Sequence, residues 1–554
     1  MICDSYRGAE RPRFRLTSAF LLLACCSVLL TACDWGGSDS EDSASTDAGS
    51  GRSGPFTVNY STPPATLDPT AVVGPDGGFV QSMYVSLVKT GVKPGPGDTI
   101  RHDPEAEIEP YLAESWKITE GNKVYTFRLR EDARFPSGKP ITSDAVKYTF
   151  DRNVTMGAIG AYYTNVGQTD PVVRSVTAPN PRTVVIHLSR ALPPDLVLRA
   201  WSLDALGIVD PEVVEAHGGV EEGELNSWMA THCACSGPYV LESYQPGVRA
   251  VFKANPNWFG EPPVEDRLIV NFIESDPTLL LQARSGQADV TIGLSKQSVE
   301  SLEDDPCCEI IATPESHFTF VALPNQVPPW TNKDLRAALT YAFPYKDALE
   351  EVAHGYAQLY YGPLPPTFVG FNEELAEPRP TDLERAQQLM DRSGVEVPIE
   401  VDLLTLRGDT NANALATIAQ AAWRPLGIEV KIRQLSNAAY TERLFTQKHD
   451  YMILRTDGPA VQTPQWLLSY DMACDSQFNS SNICLPEADR LLAQSYETTD
   501  EQEQQRLWDQ IYQIWNAASP RVSLYANVYT AVLKKGVSEY QYSDMGMLVH
   551  TFGY

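Results

Sequence analysis

Few side chains in this sequence are spaced for making or breaking bonds. It holds no GxSxG nucleophile elbow, no HExxH pair and no phosphate-binding GxxxxGK. The eight histidines are scattered, with no pair at metal-ligand spacing, and His232 beside Cys233 is the only hint of a centre. No metal and no cofactor is expected. Abundant carboxylates leave a glycoside-cleaving hydrolase as the rival reading, because spacing along a chain does not report spacing in space. Among the charges, Arg407 and Asp409 have a telling position, directly after the strand pattern VDLLTL. Ligands of α/β folds meet the sheet outside the carboxyl ends of its strands, so these two are candidates for holding a small molecule.

The leader points to export. Arg11, Arg13 and Arg15 precede LTSAFLLLACCSVLLTA, an apolar run short for a membrane span and typical of an export signal. It ends in LLTAC, which resembles the lipobox of bacterial lipoproteins. In that reading residues 1–32 are a signal peptide and Cys33 is lipidated as the first mature residue, holding the protein on the membrane's outer face. An uncleaved anchor or an ordinary secretory signal is the alternative. Residues 33–55 are rich in Gly, Ser and Asp and cannot bury enough surface to order themselves. They read as a flexible acidic tether averaging roughly 25 Å.

The formal charge is −28, and loss of residues 1–32, with four arginines against two carboxylates, leaves −30. So acidic a chain argues against nucleic acid as a partner and against an electrostatic grip on anionic lipid. Six cysteines follow Cys33, an even number that favours disulfides in an exported protein. Cys474 and Cys484 flank the polar loop DSQFNSSNI and are expected to bridge it. The sequence does not fix the pairing of Cys233, Cys235, Cys307 and Cys308, for which a bridge across the two close pairs is the simplest expectation.

About 500 residues beyond the tether are too many for one core and imply two or three domains. Trp116 and Ile118 alternate with polar residues, Glu120, Gly121 and Asn122 make a turn, and Val124 to Leu129 alternates again, a hairpin. Thr142 is then placed to cap a helix that buries Ala145, Val146, Thr149 and Phe150. Leu335, Ala338, Leu339 and Ala342 share another helix face, and Thr381 with Glu384 reads as a capping box for a helix stopped by Gly394. EVPIEVDLL, the helix through Trp423, and GIEVKIRQL form a β-α-β unit. A long amphipathic helix from Asp500 leads into PRVSLYANVYTAVLKK, a strand that must re-enter an earlier domain.

The block YLAESWKITEGNKVYTFRLREDARFPSGKPITSDAVKYTFDR resembles the signature of solute-binding protein family 5, the dipeptide- and oligopeptide-binding components of bacterial ABC importers. TLDP, SGPYVLESYQPG, NPNWFGEPPVEDRL, LRAALTYAF, YYGPLPP and PRVSLY are similar in the same order. The resemblance implies an α/β, two-lobed periplasmic-binding-protein-like clamp, type II-like, with an inserted subdomain in the first lobe. Lobe 1 would be residues 56–320 plus 516–554, with the insertion at roughly 86–175, and lobe 2 residues 321–515. It implies a monomeric binder, not an enzyme, that passes its solute to a membrane permease driven by ATPase subunits.

An extended peptide needs a carboxylate for its amine, a cation for its carboxylate and strand-like backbone partners. The resemblance puts second-lobe contacts in DYMILRTDGPAVQTPQWLL. Peptide-binding members commonly show GWxADYPDP there, and in register the amine-binding Asp falls on Pro459 while Gly-Trp falls on Arg455 and Thr456. Asp457 is expected to serve the amine instead, and Arg455 to meet a carboxylate or to pair with Asp457. Trp466 is expected as wall or core, with Tyr60, Ser61 and Tyr84 along the cleft edge of the first lobe. Peptide is the first choice of solute and an oligosaccharide or another small solute the second. Stacking by Trp330, Trp423 or Trp466 would favour sugar.

Overall fold

The computed structural model describes residues 54–554 except 72–79, 81, 96–99, 103–105, 169, 445, 539, 544–545, 548–552 and 554. The signal peptide, Cys33 and nearly all of the tether lie outside the described residues. Among those described, no helix is long and apolar enough to cross a membrane.

The expected hairpin is Ala113–Thr119 against Val124–Leu129, turned by Glu120, Gly121 and Asn122, all with positive φ. Thr183–Leu188 and Val173–Asn180 extend it to a four-stranded antiparallel sheet. Helix Ser143–Met156 lays the predicted face on that sheet, with Phe150 set edge-on to the buried Trp201 at 5.7 Å. Thr142 occupies the N-cap position, but its side chain makes no capping hydrogen bond. The cap of helix Leu383–Ser393 is also displaced by one residue. Asp382 accepts from Arg385 N, while Thr381 Oγ1 donates to Phe343 O.

Both lobes share one eleven-stranded sheet. Its order is Tyr239–Gln245, Arg249–Ala254, Arg267–Phe272, Phe56–Tyr60, Val290–Ile292, Arg521–Lys534, Cys308–Ala322, Met452–Asp457, Ile399–Leu406 and Ile428–Leu435, with Ala357–Gln358 added on Arg521–Lys534. The strand near the C-terminus therefore does return to strands from the first half of the sheet's sequence, Ala531 pairing with Ile292. Ile399–Leu406 and Ile428–Leu435 run parallel from Ile399 opposite Ile428, as a β-α-β unit requires.

Cys308–Ala322 and Arg521–Lys534 are long enough to belong to both lobes. Their pairing slips twice, by a single residue at Leu524, between the pairs Thr319–Tyr525 and Phe320–Ser523, and more widely in the middle, where Pro314 faces Val528 and Phe318 faces Ala526, so that Glu315, Ser316 and His317 lie opposite Asn527 alone. Extra residues on one strand bend it and interrupt the ladder. On one side of this break the sheet packs a core around Val58, Phe252 and Leu268, and on the other a core around Leu339, Leu403 and Trp423.

The cysteines depart from expectation. Cys474 bonds Cys484, but Cys233 bonds Cys235 and Cys307 bonds Cys308, within the close pairs and not across them.

Candidate functional site

The break in the long strands places the candidate site. Met452–Asp457 is hydrogen-bonded alongside Cys308–Ala322, with Asp457 opposite Phe318 and Arg455 opposite Phe320, so Asp457 comes level with the residues that interrupt the ladder. Gly458 follows, and any Cβ there would meet the His317 ring at 2.4 Å. Only glycine lets that ring lie against the corner.

Arg455 and Asp457 point to the same side of their strand, as residues two apart must. Arg455 Nη2 stands 2.6 Å from Asp457 Oδ2, with Arg455 buried and Asp457 partly so. The guanidinium also donates to Tyr470 Oη at 2.9 Å and to Phe478 O at 3.3 Å. Asp457 Oδ1 takes the Gly458 N–H at 3.0 Å, whereas Oδ2 accepts no hydrogen bond of ordinary geometry. Burial pushes the Asp457 carboxyl above its ordinary range, and the charge of Arg455 opposes this.

Three residues that sequence reasoning missed lie around the break. Glu315 sits 3.3 Å from His317 Nδ1 and accepts from Tyr542 Oη at 2.8 Å. Burial works against its charge, but His317, Lys296 and Tyr542 together hold its carboxyl below the usual range. Lys296 donates to Val528 O at 2.6 Å and Thr530 Oγ1 at 3.0 Å, and burial pushes its amine down to about 8 against the pull of Glu315. For Glu315 and His317 the signal is visible in EIIATPESHFTF, where Pro314 and three polar residues interrupt an apolar strand pattern, whereas Lys296 lies outside that stretch.

The other sequence candidates scatter. Tyr60 ends its strand, buried, and Ser61 follows half-buried, its N–H bonded to Ile292 O at 3.2 Å. Tyr84 is buried. It is packed in the first lobe's core, its hydroxyl donating to Leu67 O at 3.3 Å, because a large ring between apolar neighbours gains more from burial than from exposure. Asp409 is the N-cap of helix Thr410–Trp423, accepting from Ala412 N at 2.8 Å, and burial raises its carboxyl. Arg407 is exposed beside it. Thr456 turns to Thr319, their hydroxyl oxygens 2.8 Å apart. Trp466 is buried in one apolar cluster with Tyr163, on which it stacks at 5.6 Å. Trp330 and Trp423 are core.

A sheet shared by two lobes, interrupted most widely at Glu315–His317 and lined there by buried charge, is the architecture of a two-lobed solute-binding clamp. Residues 107–478 match the bacterial extracellular solute-binding proteins, family 5 (middle). The chain belongs to that family and binds its solute outside the cytoplasmic membrane. It is 26% identical over 493 residues to a probable D,D-dipeptide-binding periplasmic protein of Escherichia coli K12, covering 88% of this chain and 91% of that one. It is 24% identical to heme-binding protein A of Haemophilus influenzae, over 95% and 97%. A solved periplasmic binding protein of Helicobacter pylori, held with the peptide STSA, superposes with a TM-score of 0.77 at 21% identity, over 90% of this chain and 98% of that one.

Proposed function

We propose that this protein captures a peptide-like solute between its lobes and delivers it to an ABC permease and its ATPase subunits, as a monomer held on the outer membrane face by a lipid on Cys33. In this reading the lobes are residues 56–320 plus 516–554 and residues 321–515, joined through the long strands, and no bond is made or broken in the cleft. Asp457 carries the reading. A buried carboxylate oxygen that faces an arginine yet accepts no hydrogen bond is well suited to an ammonium group, which brings charge and donors together. Two of the relatives support a peptide through what they are named for or hold. Trp330 and Trp423 are packed in a core, which leaves the oligosaccharide reading without those two stacking platforms.

Native mass spectrometry of protein purified from its own host identifies the solute, and titration calorimetry of the peptide and its N-acetylated form tests the contact. We expect acetylation to abolish binding. Equal affinity for the two forms, or a sugar as the only retained molecule, would overturn the proposal.

A further inference from the structure

We infer that the aromatic seam joining Tyr162 and Tyr163 of the first lobe to Trp466 and Phe478 of the second is a latch, which sets how readily the clamp closes and thereby its affinity without touching the solute. This rests on the clamp fold and not on the identity of what is bound.

Tyr162 and Tyr163 end helix Ala158–Thr164, and Trp466 lies in helix Pro464–Met472. The Trp466 ring stacks on Tyr163 at 5.6 Å and 27° and meets Tyr162 edge-on at 5.3 Å and 69°. Phe478 lies 4.8 Å from Tyr162 on the other side and stacks on Tyr470 at 4.8 Å. All four seam rings are buried, and Trp466 and Phe478 form one apolar cluster with the insertion's core although the chain places them in lobe 2.

The backbone is shaped to receive the indole. Gly167 has φ +68°, and a Cβ there would stand 2.7 Å from the Trp466 ring. Val166 before it is fully buried at φ 57°, a conformation that a β-branched residue rarely adopts unless its surroundings enforce it. A polar rim follows, where Gln168 Nε2 reaches Tyr496 Oη at 3.4 Å. An aromatic centre within a polar rim is the anatomy of an interface that forms and separates. The seam is also tied to the solute anchor, since Arg455, the partner of Asp457, donates to both Tyr470 Oη and Phe478 O. A contact made only when the lobes meet weights the closed population, and apparent affinity scales with that population.

The test is small-angle scattering and amide hydrogen exchange on the full mature chain with no solute added, so its outcome is independent of the peptide reading. Trp466→Ala, Tyr163→Ala and Gly167→Ala are compared with wild type. The last keeps every ring and only inserts a methyl group into the stack, so it serves if a truncation fails to fold. We expect each folded variant to show a larger radius of gyration and about tenfold faster exchange over residues 158–168, the scale of one aromatic pair. An unchanged radius of gyration would overturn the latch, and so would faster exchange at 158–168 without expansion, which marks a purely local packing role.

Discussion

Arg455 and Asp457 neutralise each other at 2.6 Å inside the protein, with 6% and 11% of their side chains exposed. The pair joins the candidate amine site to the aromatic seam, and neither residue has another charged partner as near among the described ion pairs. Removing one partner of a buried pair leaves the other charge uncompensated, which costs about 3–5 kcal/mol. Asp457→Asn is therefore expected to lower the unfolding free energy by that order and to abolish solute binding. Asp457→Asn combined with Arg455→Met should recover much of the stability and none of the binding. Urea denaturation and calorimetry on the three variants check this, and full stability of the single variant would show that the pair is not the neutralising contact.

A second buried pair separates architecture from recognition. Asp68, of the TLDP stretch, ion-pairs with Arg152 of helix Ser143–Met156, with both side chains within 1% of full burial. Asp68 also accepts from Thr70 N at 3.3 Å. Asp68→Asn should cost about 3–5 kcal/mol, while the affinity of the folded fraction stays within twofold of wild type. A large loss of affinity in fully folded variant would instead place Asp68 at the solute.

Much of the scaffold was legible because its signals are local. The turn at Glu120, Gly121 and Asn122, the face of Leu335, Ala338, Leu339 and Ala342, and the stop at Gly394 each follow from neighbouring residues. TLDP was legible as a motif, but its reason, the Arg152 pair, lies 84 residues away. The site was less legible for the same cause. Asp457 was nominated through resemblance, yet nothing along the chain brings Lys296 to Glu315 and His317, which are 19 or more residues away from it and meet it only in the fold. Tyr84 and Asp409 show the converse, residue types suited to binding that the fold uses for packing and for capping a helix.

The bridge Cys474–Cys484, spanning 10 positions, restrains the loop that carries Phe478. Closing so short a loop contributes about 2.5–3 kcal/mol in the chain-entropy account. Cys474→Ser with Cys484→Ser should lose that much stability, and exchange should rise first at residues 474–484. Thermal melting with exchange mass spectrometry reads both. Uniform acceleration across the chain would mean that the bridge holds the global fold and not this loop.

Lys296 gives the protein an alkaline signature. Its amine, ordinarily near 10.5, is pushed down to about 8 by burial against the opposing attraction of Glu315. Between these values the unfolded chain holds a proton that the folded chain has released, so stability rises with pH across the window. Below about 8 both states are protonated, and the cost of burying the ammonium is fully felt. The gain on going from pH 8 to above 10.5 is at most about 3 kcal/mol for this group. Other groups titrate in the same range, so the measurement is the difference between wild type and Lys296→Met in urea denaturation at successive pH values. Wild type should gain on the variant as pH rises through the window, with the largest deficit below it. Parallel curves would mean that Lys296 keeps its proton in the folded state, and that Glu315 outweighs burial at the centre of the clamp.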